Sequence, residues 1–156
     1  MARPARAAKR CRAGRHGRII GRVPTPLRVL VYSDNARTRE QVLLALGKRV
    51  HPDLPELDHL EVATAPVVIR EMDAGGVDLA ILDGEAAPAG GMGIAKQLKD
   101  EIVDCPPILV LTGRRDDAWL AKWSRAEAAV PHPIDPIVLA STVTELLRPT
   151  TRKDPP

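Results

Sequence analysis

Residues 77–83 read VDLAILD. This is an apolar run broken only by Asp78 and closed by a second acid, Asp83. It is too short for a helix of ordinary length. Its residues are apolar at adjacent positions rather than alternate ones, so it reads as a strand covered on both faces. A Gly/Ala/Pro loop follows, and then a helix through Met92–Glu101 with Ile94, Leu98 and Ile102 in register. PPILVLT (106–112) is a second buried strand, closed by a hydroxyl. DDAWLAKWSRAE (116–127) reads as a helix whose N-terminal acids suit its dipole. AAV (128–130) is a short strand before Pro131-His132-Pro133. DPIVLASTVTELLR (135–148) is an amphipathic helix with Asp at its N-cap and Pro in its first turn.

The same alternation extends toward the N-terminus. PVVIREMDAGG (66–76) starts with a first-turn Pro and ends in glycines. LEVAT (60–64) is a short strand after the Pro-rich link KRVHPDLPELDH. Val42, Leu43 and Leu46 mark a helix stripe that Gly47 stops. LRVLVY (27–32) is the first strand, closed by Ser33 and Asp34. Strand followed by helix, five times over, predicts an α/β fold, a doubly wound five-stranded parallel sheet with helices on both faces. Ligands of such sheets sit beyond the carboxyl ends of the strands. The residues there are Ser33 and Asp34, then Asp83, then Thr112, then His132 with Pro133.

Composition narrows the function classes. The 156 residues suit one domain, and 44% hydrophobic with 28% charged residues is ordinary for a globular protein. No apolar run is long enough to span a membrane. Two cysteines, Cys11 and Cys105, make neither a zinc framework nor a disulfide scaffold, and point to a reducing, cytoplasmic setting. Aromatic residues are 2% of the chain, which argues against a flavin site or a stacking platform for single-stranded bases. The Gly-rich stretch 84–93 lacks both phosphate-loop patterns. His51, Asp53, Asp58 and His59 match no metal spacing and read as a solvated loop.

The net charge of +3 conceals two unlike parts. Residues 1–26 hold eight basic residues and no acid, so the remaining 15 basic residues face all 20 acids, a balance of −5. The basic N-terminal segment lacks periodicity and reads as disordered. It reads either as a solvated extension or as an arm for nucleic acid or an anionic membrane surface. Residues 27–148 form the domain, and residues 149–156 read as a frayed tail.

The ordered strand-end residues resemble the receiver domain of bacterial response regulators, of the chemotaxis-receiver (CheY-like) type. The resemblance spans roughly residues 27–148 and implies strand order 2-1-3-4-5. It makes Asp83 the phosphoacceptor. Asp34 becomes one acid of a magnesium site, with Asp83 and the backbone carbonyl of Glu85 as further ligands. Thr112 becomes the switch hydroxyl, and Pro133 follows a cis peptide bond. Ser33 stands where the family has another acid. His132 stands where it has Lys, and histidine carries no fixed charge at neutral pH. Ala129 replaces the switch aromatic. Pro88 comes one place late in the loop after the acceptor.

These departures imply an atypical, stand-alone receiver that binds magnesium weakly and acts through protein partners, a sensor kinase among them. Trp119 and Trp123, four apart on one helix face, are either anchors on the partner face or fillers beside small Ala128 and Ala129. Two other readings stand beside this one. A phosphorylation-independent adaptor needs only the partner face. A nucleic-acid-associated protein would use residues 1–26.

Overall fold

The computed structural model describes residues 24–114 and 117–152. Five strands form one parallel sheet: β1 (Leu27–Tyr32), β2 (Leu57–Val62), β3 (Leu79–Asp83), β4 (Ile108–Thr112) and β5 (Ala128–Pro131). Their spatial order is β2-β1-β3-β4-β5, as the resemblance implies. The helices between and after them are α1 (Ala36–Leu46), α2 (Ala65–Ala74), α3 (Gly91–Glu101), α4 (Ala118–Trp123) and α5 (Pro136–Arg152).

The side-chain alternation of the strands explains the two-layer core. Val29, Val31, Leu79, Ile81, Leu109 and Leu111 face one layer, where α1 brings Val42 and Leu46 and α5 brings Leu139, Val143 and Leu147. Leu30, Ala80, Leu82, Ile108 and Val110 face the other, against Val68 and Met72 of α2 and Ile94, Ala95 and Leu98 of α3. Burial on both faces is why β1, β3 and β4 carry uninterrupted apolar runs. Each fully buried aliphatic side chain is worth about 1.5–3 kcal/mol in transfer terms.

Several boundaries differ from the pattern-based reading. β2 starts at Leu57, three residues before the LEVAT segment. It is an edge strand, so Asp58 and His59 sit in it without burying charge, and the polar link concealed its start. α4 stops at Trp123 rather than 127. Buried Ser124 there donates its hydroxyl to the Ala121 carbonyl (2.6 Å), and Arg125 turns the chain with φ 66°. α5 runs past 148 to Arg152 with Pro149 inside it, so the start of the expected frayed tail is helical. The expected disorder and nucleic-acid role of the N-terminal segment fall almost wholly on residues 1–23, outside the described residues.

Candidate functional site

The topology places a crevice at the carboxyl ends of β1 and β3, where the strand order reverses direction. Asp83 ends β3 and Ser33 follows β1, which makes them neighbours across the sheet. The Ser33 hydroxyl donates to Asp83 Oδ2 at 2.7 Å. The Glu85 backbone N–H donates to Asp83 Oδ1 at 2.9 Å, and His132 Nε2 lies 3.3 Å from the same oxygen. Asp83 is only 3% exposed. Both oxygens of this buried carboxylate are thus held by donors or by an imidazole, as a buried charge requires.

A pocket of about 380 Å3 opens over this carboxylate, lined by Asp34, Asn35, Thr38, Asp83, Glu85 and His132. Asp34 is exposed and does not cap α1. Asn35 does, accepting from the Arg37 N–H at 2.9 Å, which leaves the Asp34 carboxylate to the pocket. His132 closes the pocket from the end of β5, and its backbone N–H donates to the Thr112 carbonyl at 2.8 Å. The His132–Pro133 peptide is cis, and so is Ala87–Pro88, which no sequence signal singled out.

The Glu85 carboxylate lies across the end of β4 beside Gly113, and a Cβ on Gly113 would meet only that side-chain tip, which can swing aside. Tyr32 ties β1 to the loop before α3 by donating to the Ala89 carbonyl at 2.7 Å. Burial pushes its phenol pKa up, and the nearby Asp34 and Asp83 charges push it further.

Asp34, Asp83, Glu85 and His132 therefore share one pocket. Thr112, buried at the end of β4, lines a separate and larger hollow next door, to which His132 also contributes. Trp119 and Trp123 belong to neither. They are 65% and 53% exposed on α4, so they do not fill a gap beside Ala128 and Ala129. Three contributors went unnoticed in the sequence: Asn35 and Thr38 on the pocket wall, and Arg39. The Arg39 guanidinium donates to the Ser33 carbonyl at 2.6 Å and pairs with Glu61. Arg39 lies six residues beyond Ser33, one helical turn into α1, and only the cap position of Asn35 would have hinted at that approach.

The donor set fits a divalent cation thinly. Among the described residues no group of three or more His, Cys, Asp or Glu side chains converges as a metal site would need. The Ser33 hydroxyl is already committed, donating to Asp83 and accepting from the Asn35 N–H at 3.0 Å. That leaves the carboxylates of Asp34 and Asp83 and the carbonyl of Glu85, which is within the range of magnesium sites that keep several waters.

A buried, oriented aspartate at the end of the central strand, under an acidic pocket, is the arrangement that the sequence resemblance implies. Two proteins from Mycobacterium tuberculosis, strains CDC 1551 / Oshkosh and ATCC 25618 / H37Rv, each named as an uncharacterized response regulatory protein, are 76% identical over 124 residues, covering 80% of this chain and 93% of theirs. The chain belongs to the response regulator family and is a receiver domain of two-component signalling. No family profile matches it. Solved structures share its fold. The receiver domain of the Francisella response regulator 1452 superposes with a TM-score of 0.68 at 15% identity, covering 81% of this chain and 99% of that one. The chemotaxis response regulator CheY4 of Vibrio cholerae gives 0.63 at 20% identity, covering 79% and 100%. Members of the family are signalling proteins that engage kinases or other proteins. No helix among the described residues is long and apolar enough to cross a membrane.

Proposed function

We propose that this chain is an atypical cytoplasmic receiver, not an enzyme, in which Asp83 accepts a phosphoryl group and the α4–β5–α5 side passes the change to a protein partner. A carboxylate oxygen of Asp83 attacks the phosphorus of a phosphohistidine on a sensor kinase or of a small acyl phosphate. The donor's bond to phosphorus breaks, the leaving group departs with its electron pair, and an acyl phosphate remains on Asp83. The single observation that carries this reading is the placement of the Asp83 carboxylate at the base of the acidic pocket, oriented by Ser33 and the Glu85 N–H.

The same residues make the reaction slow. Magnesium, held by Asp34, Asp83 and the Glu85 carbonyl, would neutralise charge on the incoming phosphoryl oxygens, but binds weakly without a third acid. His132 offers an imidazole where a fixed ammonium would neutralise phosphoryl charge. Thr112 and His132 receive the phosphoryl oxygens, and both also line the hollow beside β5, so a shift at either is felt there. One observation favours a second reading, a phosphorylation-independent adaptor: hydrogen-bond partners already occupy both oxygens of Asp83.

The readout is intrinsic fluorescence, because Trp119 and Trp123 are the only tryptophans and lie on the partner side. Adding a small acyl phosphate with magnesium is expected to change their emission in the native chain and not in Asp83→Asn. An equal change in both proteins contradicts the proposal, and no change in either favours the adaptor.

A further inference from the structure

Tyr32 is the single tyrosine of a chain that has no phenylalanine. It is the last residue of β1, is 1% exposed and is among the largest side chains of the core. Its register partners are Val62 on β2 and Leu82 on β3, so it sits beside the residue that precedes Asp83. Its ring belongs to the core layer that also holds Ala86 and Ala89 of the loop after the acceptor. A phenylalanine would fill that volume with no polar atom to satisfy. A phenol hydroxyl brought there costs free energy unless it finds a partner. Its partner is the Ala89 carbonyl, to which it donates at 2.7 Å across 57 positions of the chain.

The loop, residues 84–90, brings Glu85 to the acceptor. The Glu85 N–H donates to Asp83 Oδ1 at 2.9 Å. Main-chain bonds hold the start of the loop: the Gly84 N–H donates to the Leu111 carbonyl at 2.7 Å, and the Ala86 N–H to the Asp83 carbonyl at 3.2 Å. The far limb has no such bonds. Among the described residues, no hydrogen bond but that of Tyr32 reaches residues 87–89. This limb closes back onto the first, because a Cβ on Gly90 would lie 2.9 Å from the Gly84 carbonyl oxygen. That oxygen and the Glu85 N–H belong to one planar peptide group, so whatever presses on the oxygen sets the direction of the N–H.

We infer that Tyr32 is a positioning residue for Asp83. Its hydroxyl holds Ala89, and with it Gly90, against the Gly84–Glu85 peptide, which aims the Glu85 N–H at the acceptor carboxylate and fixes the residue whose carbonyl would meet a cation. The benefit of this geometry to phosphoryl uptake rests on the receiver reading; the hold on the loop does not. Tyr32 acts through the loop and not on the phosphoryl group itself. Orientation of the groups around a reacting centre is a large source of rate, and a small misplacement forfeits much of it.

The test compares the full-length native chain with Tyr32→Phe, which keeps the ring and removes the hydroxyl, and with Val143→Ala, which weakens the opposite core layer. Each protein is studied equally far below its own melting temperature. Hydrogen exchange of the Glu85 N–H is read without phosphodonor or magnesium. It is expected to quicken by roughly tenfold in Tyr32→Phe and hardly at all in Val143→Ala, the signature of a local opening. Unchanged exchange in Tyr32→Phe, or equal quickening in both variants, overturns the inference. Phosphoryl uptake is then followed by intact mass across a range of magnesium concentrations. The concentration giving half the maximal rate is expected to rise about threefold in Tyr32→Phe and to keep its native value in Val143→Ala. An equal rise in both variants marks a merely structural role and overturns the inference. The native chain adds a check that needs no variant: the proton of its one phenol should exchange slowly and show a nuclear Overhauser contact to Ala89 or Gly90. Fast exchange without that contact overturns the inference. The expected Glu85 exchange in a chain that takes up no phosphoryl keeps the hold on the loop and removes the receiver reading. Uptake on Asp83 with Glu85 exchange indifferent to Tyr32→Phe does the reverse.

Discussion

Ser33 stands beside Asp83 where another carboxylate would add charge, and its hydroxyl instead donates a 2.7 Å hydrogen bond to the acceptor. The exchange alters two quantities in opposite directions. Without a cation, the hydroxyl stabilises the buried aspartate, so Ser33→Ala is expected to cost about 1–3 kcal/mol in urea unfolding, the usual penalty for removing a buried partner of a charged group. Ser33→Asp puts a second acid in a fully buried position, so the cation-free protein should lose stability. Magnesium should restore it, with an affinity roughly tenfold higher than the native chain's, ~1.4 kcal/mol. Calorimetric titration and thermal melting with and without magnesium read both effects. Equal magnesium affinity in the two proteins would show that the missing acid is not what thins the site. The identity of this residue was legible in the sequence. Its hydrogen bond was not, because a serine at a strand end has many partners open to it.

At the scale of elements, α3 is fitted directly onto the end of the acceptor strand. A Cβ on Gly91, the first residue of α3, would lie 2.8 Å from Leu82 and 2.9 Å from the Asp83 carbonyl carbon. Gly91→Ala must therefore push the helix and β3 apart, at about 1–3 kcal/mol for such overpacking. A melting temperature lowered by several degrees, with slower modification of Asp83, is the expected outcome, and an unchanged melt would contradict the close fit. The elements themselves were largely readable: uninterrupted apolar runs marked β1, β3 and β4, and caps such as Asp135 marked helix starts. The edges were harder. β2 hides its first half in Asp58 and His59 because an edge strand tolerates polar residues. α4 ends early because the Ser124 hydroxyl and Arg125 stop it, and neither residue type is a strong terminator on its own. At the site, the strand-end positions predicted where Asp34, Asp83 and His132 would meet, since a parallel sheet lines up its carboxyl ends. The hollow over Ala129 was not legible, because the absence of a ring is visible as space only once the neighbouring walls are in place.

The described residues form a five-stranded sheet with helices on both faces, with the Asp83 pocket at the carboxyl end of the strands and Trp119, Trp123, Ile137 and Val138 exposed on the side of β5. His132 lines both that pocket and the hollow beside β5, and Thr112 lines the hollow, so the two spaces adjoin. Signalling through this chain depends on whether Asp83 takes up a phosphoryl group despite Ser33 and His132. The direct measurement is the intact mass of the full chain after incubation with magnesium and a small acyl phosphate, alongside Asp83→Asn. A single phosphoryl adduct that forms slowly on the native chain and is absent from Asp83→Asn is the predicted result. No adduct on a folded native chain, or an adduct that persists in Asp83→Asn, would contradict it.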